Sequence, residues 1–111
     1  MSGQGHACCC RHPPFRFADY DTVELGEDSR GAEVSLSACK SCAAIWLTYR
    51  IDEPHHHRSG RWWRVEITAS DAGAMSAAAA RDRVERSPDG FAGGSFFDSQ
   101  GHPITAPIRV R

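Results

Sequence analysis

Cys39-Lys-Ser-Cys-Ala-Ala-Ile-Trp-Leu-Thr-Tyr-Arg-Ile51 joins a two-cysteine turn to a strand. From Ile45 onward, Ile45, Leu47, Tyr49 and Ile51 alternate with Trp46, Thr48 and Arg50. A period of two places the first set on one face of a strand and the second on the other. The turn before it spaces Cys39 and Cys42 so that a tight knuckle can offer two thiolates to one tetrahedral ion.

The alternation repeats on both sides. Upstream, Ala32, Val34, Leu36 and Ala38 alternate with Glu33, Ser35 and Ser37, and Val23 and Leu25 alternate within the acidic stretch 19–33. Downstream, Trp63, Val65 and Ile67 alternate with Trp62, Arg64 and Glu66 after a loop, Asp52 to Gly60, that contains Pro54 and His55 to His57. These segments predict an antiparallel meander, with Leu36, Ile45, Leu47, Val65 and Ile67 buried together. Ser76 is a helix cap and Ala77 to Arg86 the helix behind it, with a narrow stripe of Ala77, Ala80 and Val84. Ser87-Pro-Asp-Gly90 ends that helix. The glycine-rich tail is read as a turn into a short strand at Ser95 to Phe97, a second turn, and an irregular edge strand from Pro103 to Val110. The expected fold is α+β: a small antiparallel sheet of roughly four or five strands with one helix packed on it. That helix is expected to cover the face carrying Trp46 and Trp62. Residues 1–12 are expected to form a flexible start, and residues 13–111 a single domain.

A half-site for a second pair of ligands lies near the N-terminus, where Cys8, Cys9, Cys10 and His12 cluster. Cys9 and His12 repeat the two-residue gap of Cys39 and Cys42. The four together are the expected zinc ligands, with Cys8, Cys10 or His6 as alternatives in the first pair. Five cysteines, three of them adjacent, do not suit a framework of spaced disulfides. The first residues lack an apolar signal core and no run approaches a membrane span. A cytoplasmic protein with reduced thiols is therefore expected, and reduced thiols are the ones a metal can take.

At 111 residues the chain suits one domain with one core. A net charge of −1 argues against a general nucleic-acid binder. Cations and aromatics concentrate at Arg58, Arg61, Trp62 and Arg64, the expected contact surface for a partner, more plausibly a protein than a nucleic acid. Asp19, Asp21, Glu24 and Asp28 read as a solvated acidic connector. No phosphate loop, dinucleotide fingerprint or serine–histidine–acid arrangement supports an enzyme.

Cys39-Lys-Ser-Cys42, Ala43-Ala-Ile-Trp46 and the following hairpin, with Cys9 and His12 as a first knuckle, resemble a zinc-ribbon domain over residues 9–67. The resemblance implies zinc-binding knuckles. The ribbon's usual glycine after the second cysteine is Ala43 here, which predicts mild backbone strain. The whole chain is also similar to small bacterial proteins with an Arg-Trp-Trp-Arg strand, a likeness that implies no activity. The reading that emerges is a zinc-stabilised binding module. The alternative is a thiol redox or sensor protein that uses Cys39 and Cys42 with an N-terminal cysteine.

Overall fold

A computed structural model describes residues 8–111, so His6 lies outside the described residues. Six strands form one antiparallel sheet in sequence order: β1 (Tyr20–Glu27), β2 (Glu33–Cys39), β3 (Ile45–Ile51), β4 (Arg61–Ile67), β5 (Asp89–Gly94) and β6 (Ser99–Thr105). Two helices, α1 (Ala69–Ala74) and α2 (Ala77–Glu85), fill the connection between β4 and β5. The fold is thus α+β with a sheet meander, with two strands and a short helix beyond the most regular part of the sequence pattern.

The register of the central strands follows the alternation. Leu36 pairs with Leu47 and Leu47 with Val65, so the large aliphatic residues stack across three strands on one face. Val34, Leu47, Tyr49, Trp63 and Val65 are buried there, and Leu36 and Ile45 are half-buried. Helix α2 presses Ala80 and Val84 onto this face. Its start is capped as expected, since the Ser76 hydroxyl accepts the N–H of Ala79 at 3.2 Å. Thr68 does the same for α1, accepting from Asp71 at 3.0 Å.

The glycine-rich strand β5 is short of side chains because its neighbours leave no room for them. A Cβ on Gly90 would lie 2.5 Å from the Arg64 carbonyl oxygen, and one on Gly93 would lie 2.5 Å from the Trp62 ring. Ser95 to Phe97, expected as strand, instead lie in the turn between β5 and β6. Pro103 is tolerated in β6 because that strand is a sheet edge.

The helices cover the face opposite the one expected. Trp46 and Arg64 point to the other side, where the segment Cys8–Tyr20 lies across the sheet as a strap. A second, smaller core forms beneath it from Cys10, Tyr20, Cys39 and Trp46, with Phe15 and Phe91 packed against it. No periodic pattern marks this cover, because it is two short 3₁₀ turns (Cys9–Arg11 and Phe17–Asp19) joined by irregular chain.

Leu47 sits at the centre of the larger core. Leu47→Ala is expected to cost about 2–5 kcal/mol through lost burial and a residual cavity. Chemical denaturation checks this, and a cost below about 1 kcal/mol would mean that the register is wrong.

The turn from β1 to β2 is held by one carboxylate. Asp28 accepts the backbone N–H groups of Arg30 and Ala32, both at 2.9 Å, and the hydroxyl of Tyr49. Burial opposes ionisation of Asp28, but the Tyr49 hydroxyl and the two N–H groups outweigh it and lower its pKa. A lowered folded-state pKa gives stability that is present above the unfolded value and lost as pH falls through the folded one. Asp28→Asn should therefore cost about 1–2 kcal/mol at neutral pH. The difference from the parent should shrink below about pH 4, where Asp28 of the unfolded chain is already protonated. Denaturant midpoints at several pH values test both statements.

Candidate metal centre

Strand β2 ends at Cys39 and β3 begins at Ile45, so the turn between them must reverse the chain within a few residues. It does so with the Ala43 N–H donating to the Cys39 carbonyl and the Cys39 N–H donating to the Ala44 carbonyl, both at 2.9 Å. Ala43 takes the left-handed conformation, φ 66°, at the place where the sequence predicts strain. The result presents Cys39 and Cys42 toward the strap.

On the strap, Cys8 is extended and the 3₁₀ turn begins at Cys9. This geometry sends alternate side chains to opposite sides. Cys10 is buried against the sheet and Cys8 is half-buried beside it, while Cys9 is exposed. The sulfurs of Cys8, Cys10, Cys39 and Cys42 all lie within 4.8 Å of one another. Cys8 Sγ is 3.7 Å from Cys39 Sγ, and Cys10 Sγ is 3.5 Å from Cys42 Sγ. Four thiolates at the usual zinc–sulfur distance form a tetrahedron with an edge of about 3.8 Å. The two pairs therefore already stand near the separation that one ion requires.

Cys9 and His12, expected in the first half-site, lie outside this group. Cys9 Sγ faces Asp19, 4.0 Å from its carboxylate, and stands 3.9 Å from Cys8 Sγ. His12 is exposed at the end of the turn. The alternatives Cys8 and Cys10 are the residues that the fold gathers with Cys39 and Cys42.

The surroundings treat the gathered sulfurs unequally, pulling the Cys8 thiol down and pushing the Cys10 and Cys42 thiols up. The backbone N–H of Cys10 lies close enough to favour the Cys8 thiolate and lowers its pKa to about 6. Burial pushes the Cys10 thiol up to about 12, the behaviour of a sulfur that needs a cation to ionise. Trp46 Nε1 is buried with no partner in hydrogen-bonding geometry, yet its N–H is near enough to favour the Cys10 thiolate. That orphaned donor fits a site whose sulfur is charged.

A cation stands next to the cluster. Arg64 is only 5% exposed, and its Nη2 donates to the Cys10 carbonyl and the Tyr20 hydroxyl, both at 2.9 Å. Its guanidinium lies 3.8 Å from the Phe15 ring centre, 4.3 Å from Trp46 and 4.8 Å from Tyr20. Burial lowers its pKa, opposed by Tyr20 and by the Cys10 and Cys39 thiols. Arg11 adds a second cation, stacked 5.4 Å from the Trp46 ring centre and paired with Glu66 at 2.9 Å.

Comparison with family models, curated proteins and solved structures finds no match for the chain.

The expected contact surface is distributed differently. Arg61 is buried, donating to the Ser59 carbonyl at 2.6 Å and to Glu53 at 3.1 Å. Arg64 is caged, Arg58 pairs with Asp98 at 3.4 Å, and Trp62 is half-buried. Arg61 and Arg64 are thus spent on internal partners and offer no free guanidinium to a partner. The described residues include no helix long and apolar enough to cross a membrane.

Ala43 supplies a direct check on the turn. Ala43→Gly relieves the left-handed penalty of about 1–2 kcal/mol and returns part of it as unfolded-state entropy. The expected net stabilisation is about 0.5–1 kcal/mol by denaturant unfolding. Destabilisation would mean that residue 43 is not left-handed in solution.

Proposed function

We propose that the chain is a zinc-stabilised binding module, in which one Zn²⁺ held by Cys8, Cys10, Cys39 and Cys42 ties the strap to the turn between β2 and β3. The observation that carries the reading is the approach of four sulfurs, from two segments far apart in sequence, to within 4.8 Å. An all-thiolate tetrahedral set favours Zn²⁺ over the harder divalent ions. Four protein ligands leave no open position for substrate, so the ion's role is structural rather than catalytic. Arg64 and Arg11 offset part of the negative charge that four thiolates bring.

The reading makes metal binding part of folding. Protein purified without chelator is expected to contain one zinc per chain. Stripping the metal should lower the melting temperature by about 10 °C or more, for an ion present at roughly a thousand times its dissociation constant. Cys10→Ser should have the same effect. Cys9→Ser should leave both zinc content and melting temperature unchanged. Metal-free protein with the melting temperature of the metal-supplied sample would overturn the proposal.

A second reading is favoured by one observation, the lowered pKa of Cys8 beside Cys39. A thiolate 3.7 Å from another thiol is placed for disulfide formation once an oxidant removes two electrons. The same experiment separates the two. A redox protein would lack metal and would lose thiols in pairs on mild oxidation, whereas bound zinc would protect four of the five.

A further inference from the structure

The strap covers only part of its sheet face. Next to Tyr20 the face opens into a groove of about 640 Å³. Thr22, Ser37 and Thr48 lie along its sheet side, and Phe15 and Trp62 also line it. A smaller hollow of about 400 Å³ on the helix side mixes Arg30 and Arg81 with Asp28, Asp82 and Glu85, and so favours no ligand charge.

Charge in the larger groove is one-sided. Arg16, Arg50, Arg61 and Arg64 line it against one carboxylate, Asp52, in a chain whose net charge is −1. Arg61 and Arg64 are engaged internally, as described above. Asp52 is occupied in part by the Ser59 hydroxyl at 3.2 Å. Arg16 is exposed and forms no ion pair among the described residues. Arg50 reaches only Glu33, at 3.9 Å, with both side chains more than half exposed. Such a contact is weak and easily exchanged for another anion.

The groove also offers flat apolar surface. Phe17 lines it and is 79% exposed, the most exposed of the large hydrophobic side chains among the described residues. Trp62 is half-buried, its ring set against Gly93 and Gly101, where added side chains would collide with it. Two exposed guanidiniums, one unpaired and one weakly paired, beside exposed or half-exposed rings match a ligand that alternates phosphates with planar bases. An acidic peptide would satisfy the arginines and leave the rings unused.

We propose that this groove binds a short stretch of single-stranded nucleic acid, with Phe17 and Trp62 stacking bases and Arg16 and Arg50 holding two phosphates. The inference rests on the reading of a metal-tied binding module, because the tied strap carries Phe15, Arg16 and Phe17. Two phosphate contacts are few, which agrees with the chain's lack of overall positive charge and sets a shallow salt dependence.

The test is fluorescence anisotropy of a labelled short oligothymidylate titrated with the full chain, with zinc content and melting temperature measured on the same sample. Two phosphates predict a slope of about −1.4 in log affinity against log salt for single strands. Arg16→Ala and Arg50→Ala should each reduce that slope by about 0.7. Phe17→Ala should weaken binding about fivefold or more at unchanged melting temperature, since the side chain is exposed. Folded, zinc-loaded protein that fails to bind at low salt would overturn the groove proposal and leave the metal reading intact. Metal-free protein that keeps the melting temperature of the metal-loaded sample and binds with the expected slope would overturn the metal reading and support the groove. Equal competition by oligoglutamate, or a Phe17→Ala variant that binds normally, would overturn base stacking in favour of an acidic protein surface.

Discussion

The arrangement depends on a buried arginine. Arg64 is carried by a central strand and is only 5% exposed, so most of its charge must be met inside the protein. Three aromatic rings and two hydrogen bonds meet it, and all but one of those groups belong to the strap. Phe15, Tyr20 and the Cys10 carbonyl are brought to the sheet by the need to satisfy this cation. Cys8 and Cys10 arrive with them, opposite the turn that carries Cys39 and Cys42. The guanidinium thus fixes the strap and supplies positive charge where thiolates gather. A bond to a backbone carbonyl sets the position of Cys10 irrespective of its side chain.

Two covers of different kinds result. Helices α1 and α2 cover one face with small residues, Ala80 and Val84, against a broad aliphatic and aromatic surface. The strap covers the other face with little regular structure, through a small core of Cys10, Tyr20, Cys39 and Trp46. That core is smaller than the one beneath the helices, and a metal is a common supplement where a core is small. The same economy leaves part of the face open as the groove, with cations and rings at its margin.

Much of the sheet was legible in the sequence because the information is local. The period-two patterns of β2, β3 and β4 and the Ser76 cap describe the residues that carry them. Strand β5 was hidden because its glycines answer to Trp62 and Arg64 on the neighbouring strand rather than to any strand preference of their own. The sequence placed Trp46 and Arg64 on one face, but what covers that face could not be read from periodicity, since the strap has none. At the cysteine cluster, the turn of Cys39 and Cys42 and the left-handed Ala43 were legible from a local motif. The choice among Cys8, Cys9, Cys10 and His12 was not. It turns on the backbone at Cys8 and Cys9, where an extended residue followed by a tight turn faces the odd cysteine outward. Equal spacing favoured Cys9 and His12, whereas the gathered pair is separated by one residue.

The proposed site sets four sulfurs, and no imidazole, around the ion. X-ray absorption at the zinc edge of the metal-loaded protein tests it most directly. A shell of four sulfur scatterers at about 2.3 Å is expected, unchanged in Cys9→Ser and in His12→Ala. A nitrogen scatterer at about 2.0–2.1 Å that disappears in His12→Ala would contradict it.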